Sequence, residues 1–264
     1  MHYGREQTDM ITSSNNAKVK QVVQWQTKAK ERRKDHVFLA EGVRMCEEAP
    51  VKSVREVYLT EELEQKLRQN AQNGDTAFWD KLQQTGYETV SLEVFAKMAD
   101  TQTPQGILTV LEQPSYDLTQ LLEQPEPLFL ILENLQDPGN LGTMIRTGEG
   151  AGITGVIMNQ QTVDIFNPKT IRATMGSIFR VPFVYVPELS PVLTQMHEKG
   201  IHTYAAHLKG KEYYDSFSFR EPTAFLIGNE GNGLTKEISR PGNTSKSPWR
   251  VRWNPLMPRS LRHF

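Results

Sequence analysis

The sequence is poor in cysteine and has no long hydrophobic run. Its single cysteine, Cys46, cannot form a disulfide within the chain. The His, Asp and Glu residues are scattered without the spacing of zinc ligands, so we expect no metal site. No stretch reaches the roughly eighteen consecutive apolar residues that a membrane-spanning helix needs, and no secretory signal is visible. We therefore expect a cytoplasmic protein that does not bind a membrane.

The chain also lacks an excess of either charge, since 30 Lys and Arg residues balance 31 Asp and Glu residues. Its 264 residues and hydrophobic fraction of 38% suffice for one large domain or two smaller ones, and they exclude a disordered polyelectrolyte. Segment 240–264 is the exception, because it has six basic residues and no acidic one. The remaining residues carry a net negative charge, so any nucleic-acid site must be a local patch.

One basic patch lies on a predicted helix near the N-terminus. Seven basic residues occur between positions 18 and 34, namely Lys18, Lys20, Lys28, Lys30, Arg32, Arg33 and Lys34. Apolar residues such as Val19, Val22 and Trp25 alternate with them and are expected to face a core. The pattern is compatible with contact to nucleic acid, and a solvated helix face is the alternative.

The hydrophobic pattern divides the chain into two α/β parts. Residues 11–111 alternate short strands and helices and predict a small α/β domain. Residues 112–127 carry three prolines among polar residues and predict a linker. Residues 128–239 predict a parallel sheet covered by helices on both faces, with ligands at the carboxyl ends of the strands. The strands of this second part are predicted at 128–132, 155–158, 183–186, 202–206 and 223–227.

The glycines at positions 150, 152 and 155 match the spacing of a dinucleotide-binding motif. That motif requires a strand before the glycines and a helix after them, so that a phosphate meets the helix N-terminus. Here the order is reversed, since the glycines end a predicted helix and lead into a strand. We interpret them as a helix C-cap and a tight turn, which argues against a nicotinamide-dependent oxidoreductase.

Two strand ends in the second part carry residues suited to a ligand site. Asp137-Pro138-Gly139 predicts a turn after the first strand, and Asn140 can cap the helix that carries Arg146. From these residues alone, Arg146 pairing with a nearby acid is the alternative to a functional role. A second turn, residues 227–234, contains three glycines, which let the backbone approach a ligand closely and expose amide donors.

At this point a resemblance becomes specific. The segments NLQDPGNLGTMIRTGEGAG, IRATMGSIFRVPF and FLIGNEGNGLT, in this order, resemble the conserved blocks of the SpoU/TrmH family of RNA ribose 2′-O-methyltransferases. VFLAEGVRMCEEA and DTQTPQGILTVL resemble the substrate-binding domain that is attached to many members. The resemblance covers residues 11–239. It implies a trefoil-knotted (SPOUT) methyltransferase domain, a homodimer, S-adenosylmethionine as methyl donor and RNA, most often ribosomal, as substrate.

The resemblance also implies roles for individual residues. Arg146 matches the arginine assigned to activation of the ribose hydroxyl, but arginine is a poor base because its pKa exceeds about 12. Orienting a phosphate and stabilising the developing alkoxide fits the chemistry equally well. Asn140 is implied to shape the substrate pocket or the loop of Arg146, with helix capping as the alternative. Glu230 is implied to lie near the site and to hold Arg146, with a solvated turn carboxylate as the alternative.

The remaining implied residues bind cofactor and RNA. The matching cofactor loop comprises Leu226, Ile227, Gly228, Asn229, Gly231, Gly233 and Leu234, whose backbone groups would read the adenine. The RNA-binding residues are Arg172, Lys18, Lys28, Arg32 and Arg33, because neutralised phosphates supply much of the affinity for RNA. For Arg172 a packing or salt-bridge role remains the alternative.

The tail departs from the family pattern. After Leu234 the family has an Ile-Pro-Met turn, a variable stretch and a Glu-Ser-Leu-Asn segment with a final helix, none of which occurs in residues 240–264. Codons shifted by one nucleotide permit these elements, so we hypothesise a frameshift near Ser239–Arg240. For the chain as written, we predict irregular structure over 240–264, an incomplete knot and weak or absent cofactor binding. A catalytically inactive RNA-binding protein is therefore the alternative function.

Overall fold

The computed structural model describes residues 9–206, 212–213, 216–239 and 249–252, and only the backbone for 212–213 and 249–252. The chain divides into two units, Met1–Pro114 and Ser115–Phe264. None of the helices in the described part of the chain combines the length and apolarity needed to cross a membrane. Within the same residues, no group of three or more His, Cys, Asp or Glu side chains is arranged to hold a metal ion.

The first unit is built on a four-stranded mixed sheet. Its strands are β1 (Val37–Glu41), β2 (Val54–Thr60), β3 (Glu88–Val90) and β4 (Ile107–Glu112). They lie in the order β1-β4-β2-β3, with β4 antiparallel to both of its neighbours and β3 parallel to β2. The sheet therefore combines distant parts of the unit, since its first and last strands along the chain are neighbours.

Helices cover both faces of this sheet. They are α1 (Ala17–Thr27), α2 (Ala29–Asp35), α3 (Val43–Glu48), α4 (Glu61–Gln72), α5 (Ala77–Thr85) and α6 (Leu92–Met98), with a 3₁₀ turn at Val51–Ser53. Alternate residues of β2 point to opposite faces: Tyr58 joins the core under α1 and α6, whereas Val57 and Leu59 join the core under α4 and α5. α1 and α6 thus lie on one side of the sheet and α4 and α5 on the other.

The second unit contains a parallel sheet. Its strands are β5 (Leu128–Leu132), β6 (Gly155–Asn159), β7 (Phe183–Val186), β8 (His202–Ala206), β9 (Glu212–Tyr213), β10 (Thr223–Ile227) and β11 (Trp249–Arg252). They lie in the order β7-β6-β5-β10-β8-β11-β9, and every neighbouring pair is parallel. The predicted parallel α/β sheet is confirmed. All residues of β6 are buried, and so are those of β5 after Leu128, as expected for strands covered on both faces.

In the described part of the second unit, the sheet is accompanied by α7 (Leu118–Leu122), α8 (Pro138–Gly150), α9 (Pro168–Thr174), α10 (Ser190–Glu198) and α11 (Lys236–Ser239), with a 3₁₀ turn at Ser177–Phe179. Residues of α7, α10 and α11 share one apolar core with alternate residues of the central strands. α8 and α9 approach each other closely at Gly142, where an added Cβ would lie 2.5 Å from the Ala173 Cβ.

The structure differs from the sequence prediction at the short strand β9, which was not predicted, and in two further segments. The segment assigned to a linker, 112–127, contains α7, whose Leu121 and Leu122 are buried in the core of the second unit. The tail was expected to be irregular, but Trp249–Arg252 forms β11 between β8 and β9, so the prediction is wrong for these four residues. Their alternation of Trp and Val with Arg suits a strand. The rest of the tail, 240–248 and 253–264, lies outside the described residues.

Candidate active site

The candidate site lies where the chain reverses its direction across the second sheet. From β5 the chain proceeds outward through β6 and β7, and it then returns to place β10 and β8 on the other side of β5. In open parallel sheets, ligands bind outside the carboxyl ends of the strands at such a switch point. The loops that follow β5 and β10 leave the sheet side by side there, because Ile227 pairs with Leu132.

The turn after β10 is closed by hydrogen bonds within itself. Asn229 and Gly233 exchange two backbone hydrogen bonds of 3.1 and 2.8 Å. The Asn229 Oδ1 also accepts from the amides of Gly231 and Asn232, both at 3.0 Å. A Cβ on Gly228 would lie 2.1 Å from the carbonyl carbon of Gly233, so only glycine fits at 228. The turn presents a stretch of backbone with few side chains at the sheet edge.

Glu230 connects this turn to the loop after β5. Its carboxylate accepts hydrogen bonds from the amides of Gln136 and Asp137, at 3.2 and 3.0 Å, and from the Asn140 side chain at 3.3 Å. Partial burial opposes ionisation of Glu230, but the amide donors outweigh it, and the pKa of the carboxyl lies below its ordinary value. Among the described residues Glu230 forms no ion pair with Arg146, so the expectation that it holds Arg146 is wrong for a single chain.

Asn140 does not cap α8. The cap is Asp137, whose carboxylate accepts from the Asn140 amide at 2.7 Å, and Pro138 occupies the first helical position. This hydrogen bond and an ion pair with Lys169 lower the pKa of Asp137. Because Asp137 serves as the cap, the Asn140 side chain is available to Glu230. The structure therefore brings two of the three predicted catalytic residues together, Asn140 and Glu230.

Arg146 lies apart from this pair. It follows Asn140 by six residues along α8, which corresponds to about 9 Å along the helix axis. Its side chain is exposed, and no hydrogen bond or ion pair reaches it from the part of the chain that the structure describes. The alternative of pairing with a nearby acid is not observed either. Arg146 is thus available to a group from outside the chain.

A second carboxylate, Glu133, was missed by the sequence reasoning. It follows β5 directly, is 5% exposed, and accepts hydrogen bonds of 2.7 Å from both the amide and the hydroxyl of Thr235. Thr235 comes directly after the glycine-rich turn, so Glu133 fixes the end of the turn while Glu230 fixes its middle. An acidic residue at the end of the apolar run LFLIL was the available signal.

A pair of amide side chains joins the loop after β5 to the end of β6 at the same edge of the sheet. Asn134 has a left-handed backbone, φ 57°, and its side chain and amide exchange hydrogen bonds of 2.8 and 3.0 Å with the buried Asn159. Its carbonyl accepts from the Asn229 side chain at 3.0 Å. Asn134 therefore connects the loop after β5 to the turn after β10 and to the end of β6.

The other predicted cofactor residues differ in exposure. Leu226 and Leu234 are buried in the apolar core of the unit, so only their backbone groups can meet a ligand. Ile227 ends β10 with a partly exposed side chain, and Gly231 and Gly233 are exposed on the turn. Arg172 lies in α9 and is partly exposed.

The predicted basic residues of the first unit separate into two groups. Lys28 and Arg33 are exposed, whereas Lys18 forms an ion pair with Glu88. Arg32 is only 3% exposed and donates to the carbonyl of Trp25 at 2.7 Å, where α1 ends. The prediction that Arg32 contacts RNA is therefore wrong: its guanidinium satisfies carbonyls that the end of a helix leaves without partners.

Comparison with known proteins identifies the family. A family model described as the SpoU rRNA Methylase family matches residues 127–243, and one described as an MRM3-like substrate binding domain matches residues 16–109. The chain is also 33% identical over 227 residues to the 23S rRNA (guanosine(2553)-2′-O)-methyltransferase RlmP of Bacillus subtilis, covering 85% of this chain and 84% of that protein. The chain belongs to the SpoU methylase family.

Other SpoU methylase relatives agree. A 23S rRNA (uridine(2479)-2′-O)-methyltransferase of Streptomyces viridochromogenes is 30% identical over 139 residues, about half of each chain (51% and 48%). The crystal structure of an AdoMet-bound rRNA methyltransferase from Sinorhizobium meliloti superimposes with a TM-score of 0.79 at 26% identity, covering 98% of this chain and 95% of that one. The family and the parallel-sheet α/β methyltransferase fold expected from the sequence are thus confirmed.

Proposed function

We propose that this chain transfers the methyl group of S-adenosylmethionine to a ribose 2′-hydroxyl of ribosomal RNA. The observation that carries the proposal is the junction of two strand-end loops, in which Glu230 of the glycine-rich turn binds the amides of Gln136 and Asp137. Relatives named as 23S rRNA 2′-O-methyltransferases and a neighbour solved with AdoMet support the substrate and the cofactor.

The residues present fit a cationic adenosyl ligand. Gly231 and Gly233 are exposed and have no side chain, so the backbone of the turn is accessible to an adenine there. Glu133 and Glu230 place two carboxylates at the same strand edge, and no described lysine or arginine is paired with either of them. A carboxylate without a protein cation favours a nearby positive ligand group. S-adenosylmethionine supplies an electrophilic methyl group on such a positively charged sulfur.

Arg146 is suited to the RNA side of the reaction. The ribose hydroxyl is a weak nucleophile and must lose its proton as it attacks. A guanidinium remains protonated at neutral pH, so Arg146 orients a phosphate and stabilises the developing alkoxide rather than removing the proton.

We also propose a homodimer in the cytoplasm. Arg146 lies on an exposed face of α8, and the described part of its own chain provides no partner for it. A second copy packed against this face would bring Arg146 beside the partner's substrate, which explains why one chain leaves it apart from Asn140.

Methyl transfer tests the proposal directly. We expect a chain whose residues 240–264 follow the alternative frame to incorporate labelled methyl from S-adenosylmethionine into unmethylated 23S rRNA, and the chain as written to do so more weakly. In the restored chain, Arg146→Ala should lower the activity about a hundredfold or more, as for removal of other preorganised charge-stabilising groups. Lys66→Ala serves as the control, because Lys66 is exposed on α4 in the other unit. Base methylation in place of 2′-O-methylation would contradict the proposed reaction.

The second candidate is an RNA-binding protein without transferase activity. The observation that favours it is the tail, in which residues 240–264 lack the family's final cofactor segment. This candidate predicts normal RNA binding, no methyl transfer and no cofactor affinity in the chain as written. Calorimetric titration with S-adenosylmethionine distinguishes it from the proposed enzyme.

A further inference from the structure

A surface cavity of about 550 Å³ lies in the first unit, on the side of the sheet that α1 and α6 cover. It is lined by Ser14, Val19, Lys20, Val23, Gln24 and Lys97. Its volume falls within the range of small-ligand sites, about 300–1,000 Å³. Lys20 and Gln24 stand one helical turn apart on the exposed side of α1, and Lys97 reaches the cavity from α6.

The charge of the cavity is positive. Two lysines and no acidic residue line it. Lys97 donates to Ser14 and to Glu93, both at 3.3 Å, but Glu93 is 84% exposed and such a surface pair contributes little stability. The Lys20 side chain forms no hydrogen bond or ion pair with any residue that the structure describes, in contrast to the Lys18 side chain, which is paired with Glu88. An anionic ligand group therefore meets two cations at this cavity.

The other lining groups favour a nucleotide over a simple anion. Gln24 is exposed and carries both donors and an acceptor, which suit the polar edge of a base or a ribose hydroxyl. Val23 is half-buried beside it and offers an apolar surface to the flat face of a base. Phosphate, polar edge and apolar face occur together in one nucleotide of an RNA strand.

We propose that this cavity binds a nucleotide of the substrate RNA, with Lys20 and Lys97 at its phosphates and Gln24 at its base or ribose. The proposal rests on the proposed function for the identity of the RNA. The proposed RNA contacts lie outside the basic stretch 28–34, in which Arg32 is buried and cannot bind a phosphate.

Filter binding with a radiolabelled 23S rRNA transcript and the full chain tests the proposal. We expect Lys20→Ala and Lys97→Ala each to weaken binding about fivefold and to reduce the slope of log K against log salt by about one, as for a lost phosphate contact. Gln24→Ala should weaken binding without changing the slope. Lys66→Ala is the matched control, because α4 carries this exposed lysine on the opposite face of the same sheet.

The outcomes separate this proposal from the function on which it rests. If the wild-type chain binds the transcript but the three cavity variants bind as Lys66→Ala does, the cavity proposal is overturned while the proposed RNA substrate stands. If the wild-type chain does not bind the transcript at all, the RNA substrate itself fails and the cavity proposal fails with it. We expect each variant to unfold thermally at the same midpoint temperature as the wild-type chain, which would show that these exposed substitutions leave the fold intact.

Discussion

Glu133 and Glu230 connect the two strand-end loops in opposite directions. Glu133 extends from the end of β5 to Thr235, and Glu230 extends from the turn after β10 to the amides of Gln136 and Asp137. Each carboxylate satisfies backbone donors that would otherwise lack a partner near the sheet edge. The relative position of the two loops thus depends on a pair of charged hydrogen-bond acceptors.

Glu133→Gln is expected to lower the free energy of unfolding by about 2 kcal/mol, because the amide replaces a charged acceptor and presents a donor toward the Thr235 amide. Urea denaturation measures the change. Glu149→Gln is the matched control: Glu149 pairs with Arg180 at the surface, and losing that pair should cost less than about 1 kcal/mol. Equal effects of the two substitutions would contradict the structural importance of Glu133.

Gly228→Ala should open the glycine-rich turn, since its Cβ would lie 2.1 Å from Gly233. We expect a loss of about 2 kcal/mol in stability from the resulting strain. Gly231→Ala is the control, because its Cβ would meet only the Asn229 Oδ1 at 3.6 Å and the change should stay within about 0.5 kcal/mol. Chemical denaturation compares them, and a tolerated Gly228→Ala would show that the turn does not have this conformation.

Glu230 makes the loop junction sensitive to acid. Its pKa in the folded chain lies below the unfolded value of about 4.3. The carboxylate therefore stabilises the fold fully above the unfolded pKa, and this contribution is lost as the pH falls through the folded pKa. We expect NMR hydrogen-exchange protection of the Gln136 and Asp137 amides to decrease as the pH falls through the lowered pKa of Glu230. Glu230→Gln should remove this pH-dependent loss of protection. If the loss persists in the variant, Asp137 is the titrating group.

The sequence predicted some individual residues of the site but not their hydrogen-bond partners. The glycines, Asn140 and Glu230 were visible as a motif, but the partners of Glu230 were not, because Gln136 and Asp137 lie more than ninety positions away along the chain. Arg32 was misassigned for a related reason. Its charge was visible in the sequence, but the break between α1 and α2 that buries it depends on tertiary packing.

At the scale of the elements, α8 and α9 form the layer that presents the predicted RNA-facing side chains. Gly142 lets the two helices approach until the Thr170 carbonyl oxygen would be 2.6 Å from an added Cβ. The close packing of α8, which carries Arg146, against α9, which carries Arg172, therefore depends on the absence of a side chain at Gly142. Strand positions in this unit followed from apolar runs, and β5, β7, β8 and β10 have the predicted bounds.

Gly142→Ala should separate α8 from α9 and destabilise the unit by about 1–3 kcal/mol, the usual cost of overpacking. Gly150→Ala is the matched control on the same helix, because nothing lies within 4 Å of its Cβ position. There the higher helix propensity of alanine should leave stability unchanged or raise it by up to about 1 kcal/mol. Calorimetric melting of both variants checks the difference, and a neutral Gly142→Ala would contradict the close approach.

The elements that the sequence missed are those whose formation depends on distant partners. α7 lies in a proline-containing polar segment, and its helix is stabilised by burying Leu121 and Leu122 in the core of the second unit. β11 is parallel to β8, a strand far from it along the chain. Local composition predicted a linker and an irregular tail because it carries no information on these partners.

At the scale of the whole molecule, a net charge of −1 conceals an uneven distribution of charge. RNA affinity therefore has to come from local sites such as the cavity between α1 and α6. The tail, residues 240–264, has six basic residues and no acidic one, and it begins where the family pattern stops. We attribute them to the shifted reading frame rather than to an RNA-binding arm.

Restoring the shifted frame tests this interpretation. A chain in which residues 240–264 are replaced by the translation of the alternative frame should bind S-adenosylmethionine at least about tenfold more tightly than the chain as written, about 1.4 kcal/mol. A chain with the same new residues in scrambled order is the control. Calorimetric titration measures the affinities, and equal affinity of all three chains would refute the frameshift hypothesis, as would resequencing that finds no open alternative frame.

The hydrogen bond between Asn229 and Asn134 spans 95 positions of the sequence. During synthesis, the loop after β5 emerges long before the turn that completes its junction, so the early part of the second unit has no finished ligand site. Contacts between such distant positions form late because a long loop must first be closed. A nascent or truncated chain that ends before position 229 is therefore expected to be unable to recognise the cofactor, which makes ligand recognition a sign that the sheet has been assembled.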